Sequence, residues 1–249
     1  MKLRVIDTSC SFQGNAVLEK MNMEVEEGQF VSILGPSGCG KSTLLNFIAG
    51  LIQADCGQVL VDGRPVEGIS EHFAYMPQQD LLLPWKNIMD NVCLYGRIHG
   101  NIKPMRQQAE KIFERFGLAG YEKKYPFQLS GGMRQRAAFL RTALCKADIL
   151  LLDEPFAALD VITRGDMQDW LLSIREELNR TMVLVTHDID EAIYLSDKIV
   201  VLSGKPASVQ RELVIMEKHR TKEWLFAQKE IREEIYHLLK NQSNNLEGS

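Results

Sequence analysis

One short stretch constrains this chain more than any other: Gly35 to Thr43, Gly-Pro-Ser-Gly-Cys-Gly-Lys-Ser-Thr, which follows directly on the apolar, β-rich run Phe30–Leu34. Strand, glycine loop and helix, in that order, are the context in which GxxxxGK[ST] forms a phosphate-binding loop. Glycines let backbone N–H groups turn inward around phosphate oxygens, and the following helix N-terminus adds partial positive charge. Gly35, Pro36, Ser37, Gly38, Cys39, Gly40, Lys41, Ser42 and Thr43 are therefore the candidate phosphate-binding residues. Lys41 is placed to reach the β- and γ-phosphates, and the Ser42 hydroxyl to bind Mg²⁺. The ligand expected is a nucleoside triphosphate.

Further apolar strands are predicted at 58–61, 72–76, 149–152, 181–186 and 198–202. Several are continuous apolar runs, the pattern of strands buried on both faces of a mostly parallel sheet. Between Asn87 and Lys146 the texture turns to helical periodicity, as in MRQQAEKIFERFGLAGYEKKY. The organisation expected is an ATP-binding core over residues 1–87 and 148–215, with a helical subdomain inserted at 88–147 and a tail at 216–249. In that tail, 218–241 is predicted helical, with Trp224, Gln228, Ile231, Ile235 and Leu238 on one stripe, expected to pack on its own subunit rather than on a partner or a membrane. The closing Leu-Glu-Gly-Ser reads as a cloning scar and carries no argument.

With 249 residues, 45% hydrophobic, the chain can bury a full core. The net charge of -4, with no basic block, makes nucleic acid a poor expectation as partner. Cys10, Cys39, Cys56, Cys93 and Cys145 are odd in number and include no CxxC pair, which fits a reduced thiol set. Cys39, at a helix N-terminus beside Lys41, is expected to have a lowered pKa and to block the site when alkylated. The N-terminus lacks a secretory signal and no run reaches the roughly 20 apolar residues that span a bilayer.

Two further motifs add chemistry. Ile149 to Pro155, ILLLDEP, is an apolar strand ending in two acids. Asp153 at the strand edge suits a Walker B role on Mg²⁺, and Glu154 is placed to orient and polarise an attacking water. Leu129 to Arg136 reads LSGGMRQR. Ser130 with the N–H groups of Gly131 and Gly132 makes a second anion site, or a plain helix N-cap. One phosphate-binding loop already serves one nucleotide, so a second such site suggests completion by another copy of the chain.

The order GPSGCGKST, Gln78, LSGGM, LLLDEP, Ala158-Leu159-Asp160 and His187 in VLVTHD resembles the ATP-binding subunits of ABC transporters. The resemblance spans nearly the whole chain to about residue 215. It implies a RecA-like P-loop NTPase core with an N-terminal antiparallel β portion and an inserted helical subdomain. It also implies a head-to-tail homodimer that traps two ATP molecules, each between the P-loop of one subunit and the LSGG segment of the other. Phe12 then matches the aromatic that stacks on adenine, with a core phenylalanine as the other reading. Gln78 matches the glutamine that approaches Mg²⁺ and the water, Asp160 the aspartate coupling the two sites, and His187 the histidine contacting the γ-phosphate. Met133 stands where many members have glutamine, and with LLPW and DEPFAALD this resembles importer ATPases of the nitrate, sulfonate and taurine branch.

The reading that follows is ATP hydrolysis coupled to a membrane permease, with the protein peripheral on the cytoplasmic face of the cell membrane. A periplasmic or extracellular solute-binding protein would take part indirectly. The rivals are a soluble ABC ATPase outside transport, disfavoured by a single motif set and no long heptads, and a non-hydrolysing regulator, disfavoured by Glu154. The segment QQDLLLPWKN, residues 78–87, joins Gln78 to the helical stretch. Leu81 to Trp85 either line the groove that receives the permease or tuck under the helical subdomain.

Overall fold

The structure, a computed structural model, describes residues 1–246. Among the described residues ten strands run β1 Leu3–Phe12, β2 Asn15–Val25, β3 Phe30–Leu34, β4 Cys56–Val61, β5 Arg64–Val66, β6 Phe73–Met76, β7 Ile149–Asp153, β8 Thr181–Thr186, β9 Lys198–Leu202 and β10 Val209–Val214. The helices are α1 Lys41–Ile48, α2 Ile88–Val92, α3 Leu94–Ile98, α4 Ile102–Ile112, α5 Gly131–Ala143, α6 Val161–Leu178, α7 Ile189–Leu195, α8 Lys222–Ala227 and α9 Lys229–Leu246.

The strands form two sheets, a four-stranded one ordered β2-β1-β4-β5 and a six-stranded one ordered β10-β9-β3-β8-β7-β6. The first is antiparallel. In the second, β9, β3, β8, β7 and β6 run parallel, and β10 closes the edge antiparallel.

Successive side chains of a strand point to opposite faces, which explains why the parallel strands are apolar throughout. Val31 and Ile33, Ile149 and Leu151, and Val183 and Val185 join α1 and the antiparallel sheet in one core. Phe30 and Leu34, Leu150 and Leu152, and Met182 and Leu184 join the helices on the other face. Each strand thus serves two cores, so a polar residue is tolerated only with a partner. Ser32, fully buried on β3, is hydrogen-bonded to Ser196.

Residues 88–143 carry α2 to α5 and, among the described residues, no strand. The tail differs from expectation. It is helical only from Lys222, where Thr221 caps α8 through the Trp224 N–H, and it breaks at Gln228 before α9. Ile235 is fully buried and Trp224, Ile231 and Leu238 pack on the same core, so the stripe does cover its own chain. Glu247–Ser249 of the suspected scar lie outside the described residues.

Candidate functional site

The parallel strands β3, β6, β7 and β8 all deliver their C-terminal ends to one edge of the sheet, where ligand crevices of α/β folds form. The loop after β3 is Gly35–Gly40, those after β6 and β7 carry Gln78 and Glu154, and that after β8 carries His187. Residues distant in sequence meet because the strands are adjacent.

The P-loop is built as its glycines require. Gly40 has φ 123°, and a side chain there would strike Val17 of β2 at 2.9 Å. Lys41 is 4% exposed, and its ammonium donates to the carbonyls of Gly35 and Pro36, each at 2.9 Å. A cleft of about 240 Å³ opens between Gly38, Lys41, Ser42, Thr43 and Glu154. The described residues that line it include none from the Ser130 segment.

The Cys39 expectation is corrected. Its side chain is 2% exposed and belongs to the core between the sheets, with Sγ so close to Gly35 that a Cβ there would meet it at 2.9 Å. Burial pushes the thiol up and outweighs the lowering pull of Lys41 and Lys205.

Ser42 Oγ donates to Asp153 Oδ1 at 3.0 Å, and the Tyr75 hydroxyl donates to Asp153 Oδ2 at 3.0 Å. Burial raises the Asp153 pKa, opposed by these two hydrogen bonds. A hydroxyl beside a carboxylate, both oxygen donors at the mouth of a phosphate cleft, fits Mg²⁺, which takes few protein ligands and completes its shell with phosphate and water. Tyr75 was not legible as a site residue; its position in FAYM, opposite Leu151 of β7, is the only signal.

Glu154 follows β7 with φ 43°, and its N–H donates to Val185 O at 3.0 Å. Its Oε2 lies 3.3 Å from His187 Nδ1 and accepts the Gln78 amide at 3.4 Å. Left-handed backbone at a non-glycine costs free energy and persists where surroundings impose it. Here the β7–β8 ladder does so. Three of the four predicted catalytic residues, Gln78, Glu154 and His187, are therefore in contact, and Lys41 shares the cleft with Glu154.

Behind His187 lies a buried polar group that the sequence reading missed. Thr186 Oγ1 donates to Glu191 Oε2 at 2.6 Å, and Glu191 is 4% exposed. Burial pushes the Glu191 pKa up to about 7. Arg164 of α6 reaches Asp188 at 3.5 Å and donates to Leu159 O at 3.3 Å, so one guanidinium joins the His187 loop to the Ala158–Asp160 loop.

Ser130 is the N-cap of α5, its hydroxyl accepting from Met133 N at 3.3 Å. Asp160 likewise caps α6, accepting from Ile162 N and Thr163 N, and hydrogen bonds from the Thr163 hydroxyl and then its N–H lower its pKa. A side chain on Gly132 would meet Thr163 Cγ2 at 2.6 Å, whereas one on Gly131 finds only ordinary contact with Leu159. Gly132 is thus required within one chain, to let α5 approach α6. Phe12, at the end of β1, is 46% exposed and is no core residue.

In the loop after Gln78, Arg141 of α5 donates to Asp80 O at 2.6 Å and to Leu81 O at 2.8 Å, and Arg134 pairs with Asp80 at 3.2 Å. Buried Asn91 donates to Leu83 O, Lys86 O and Asn87 O and accepts from Leu83 N. Of the apolar stretch, Leu82 is buried in the helix-side core, whereas Leu81 and Trp85 are 55% and 71% exposed. The core reading of LLLPW holds for Leu82, and Leu81 and Trp85 lie on the surface.

Comparison with known proteins agrees with this geometry. The family model described as ABC transporter matches residues 18–157, more than half of the chain. An uncharacterized ABC transporter ATP-binding protein of Methanocaldococcus jannaschii is 41% identical over 97% of this chain and 92% of its own length. The aliphatic sulfonates import ATP-binding protein SsuB of Bacillus cereus is 44% identical over 78% of this chain and 77% of its own. The taurine import ATP-binding protein TauB of Shigella boydii is 40% identical over 85% and 83%. Among solved structures, the ATP-binding cassette MJ0796, a dimer bound to ADP and Pi in a post-hydrolysis state, superposes with a TM-score of 0.73 at 28% identity, covering 86% of this chain and 99% of that one. The chain belongs to the ABC transporter family, as one of its ATP-binding, ATP-hydrolysing proteins.

Proposed function

We propose that this protein is the ATPase subunit of an importer for a small anion or sulfonate-like solute, working as a head-to-tail dimer on a membrane permease. The observation that carries the dimer is the separation of the two anion-binding elements. The described lining of the P-loop cleft includes nothing from the Ser130 segment, and the α5 N-terminus at Ser130 packs against the start of α6. A second chain would bring Ser130, Gly131 and Gly132 onto the phosphates held by Gly35–Thr43, with Asp160 of each chain at the junction and Phe12 against the adenine. The dimeric cassette bound to ADP and Pi supports this arrangement, and the names of the sulfonate and taurine relatives favour import over a soluble role.

Within the site, Glu154 acts as base toward the attacking water, with His187 and Gln78 orienting its carboxylate and sensing the γ-phosphate. Ser42 and Asp153 would hold Mg²⁺, with Gln78 approaching it; the metal would neutralise charge on the β- and γ-phosphate oxygens. Lys41 supplies a fixed cation. The domain roles follow as 1–87 and 148–215 for nucleotide, 88–147 for the signature helix and permease contact, and 216–249 as a tail. The protein would sit on the cytoplasmic face through its permease, through Leu81, Trp85 and their neighbours, with a solute-binding protein outside. No helix among the described residues is long and apolar enough to cross a membrane itself.

The test is size-exclusion with light scattering on Glu154→Gln, with and without ATP and Mg²⁺. A stable ATP-dependent dimer without turnover is expected, and Lys41→Ala should abolish it. A Glu154→Gln monomer that holds ATP would overturn the sandwich.

A further inference from the structure

The phosphate cleft contains a cation that no motif names. Lys205, in the turn between β9 and β10, lines the cleft together with Gly38, Lys41, Thr43 and Glu154. The turn is tied in place. Ser203 Oγ accepts from Ser208 N at 2.7 Å, Ala207 N donates to Val17 O at 2.8 Å, and Glu19 N donates to Ala207 O at 2.8 Å. Val17 in turn contacts the P-loop at Gly40 and lines the cleft. Lys205 therefore stands at a position set by the sheet rather than on a free loop.

Its charge is available. Lys205 is exposed, and no carboxylate among the described residues forms an ion pair or hydrogen bond with it. Lys41 differs: its ammonium already donates to two P-loop carbonyls. A triphosphate entering this cleft meets one cation partly committed to the backbone and a second one uncommitted. Charge-assisted contacts to phosphate oxygens are the strong class of hydrogen bond, and a lysine is suited to them as a point charge.

We propose that Lys205 is a nucleotide-binding residue, its ammonium contacting the phosphate chain of bound ATP or ADP as a second cation beside the P-loop lysine. This rests on the ATPase reading of the same cleft. The sequence conceals it because the contact comes from a turn far from the P-loop in the chain, brought there by the β9–β3 pairing.

Calorimetric titration of the full chain with ATP and with ADP tests it, using Lys205→Ala, Lys205→Gln and Lys205→Arg beside Lys41→Ala. Lys205→Ala and Lys205→Gln should weaken both nucleotides about tenfold at unchanged thermal midpoint. They should also flatten the dependence of affinity on salt, and Lys205→Arg should restore most of both. Wild-type affinity and salt dependence in Lys205→Gln, with binding lost in Lys41→Ala, would overturn the role of Lys205 and leave the cleft assignment standing. Unchanged binding in Lys41→Ala would instead sink the cleft assignment itself.

Discussion

His187 Nδ1 lies 3.3 Å from Glu154 Oε2, the same carboxylate oxygen that accepts the Gln78 amide at 3.4 Å. Two neighbours on one oxygen fix the carboxylate and leave its other oxygen for a water. His187→Ala should therefore lower kcat about a hundredfold, with ATP affinity changed by no more than about threefold. Because Gln78 holds the same oxygen, Gln78→Ala combined with His187→Ala should cost less than the product of the single losses. Steady-state hydrolysis with parallel nucleotide titrations decides; strictly multiplicative losses would refute the shared role.

The residue behind that histidine sets a pH dependence. Glu191 titrates near 7 in the folded chain because burial disfavours its charge. A raised folded pKa means that the folded state binds more protons than the unfolded one between the ordinary carboxylate range and about 7. The stabilising contribution is therefore complete below about 4.5 and is lost as pH rises through 7, a change of about 3 kcal/mol at most. Glu191→Gln keeps the shape and removes the titration. Urea midpoints from pH 5 to 8 should fall less steeply in this variant than in wild type, and above pH 7 the variant should be the more stable.

The two signature glycines separate on structural grounds. Gly132→Ala drives a methyl into Thr163 Cγ2 at 2.6 Å, overpacking that should cost about 1–3 kcal/mol. Thr163→Ser in the same chain removes that methyl and should recover the loss. Gly131→Ala meets nothing closer than 3.5 Å and should leave stability intact, yet it should impair hydrolysis if a partner's nucleotide approaches this backbone. Thermal midpoints and turnover on the three variants test both glycines. Full activity in Gly131→Ala would count against the dimeric site.

Cys39 is shielded and Cys56 is exposed. Maleimide labelling followed by peptide mapping should modify Cys56 at least tenfold faster than Cys39, and the singly labelled protein should retain ATPase activity. Rapid modification of Cys39 in the folded chain would mean that its thiol faces the cleft after all.

Legibility in the sequence tracked how many faces an element buries. Strands β3, β8 and β9, apolar on both faces, match the predicted bounds to the residue. By contrast, β1 and β2 pair through several register shifts, with Asp7 and Lys20 in left-handed backbone, so alternation lapses and only a β-rich portion was readable. β10, an edge strand mostly exposed with only Val209 and Leu213 packed inward, carried too short a pattern to read. At the site, the loops that hold Lys41, Glu154 and His187 were legible because their motifs are local. Tyr75, Glu191, Arg164 and Lys205 were not, since each acts across elements that only the sheet order brings together.

The last test concerns the segment after Gln78, where burial divides the apolar residues. Leu82 is in the core, so Leu82→Asp buries a charge among apolar neighbours and should unfold or severely destabilise the chain, whatever the permease does. Trp85 is 71% exposed, so Trp85→Ala should move stability by no more than about 0.5 kcal/mol. Arg141 links this loop to α5 through the carbonyls of Asp80 and Leu81, which ties the start of the segment that carries the exposed tryptophan to the signature helix. Trp85→Ala should therefore keep basal hydrolysis by the isolated chain and lose most of its stimulation in vesicles containing the permease. Full stimulation in Trp85→Ala would remove this loop from the docking surface and leave its leucines with a structural role alone.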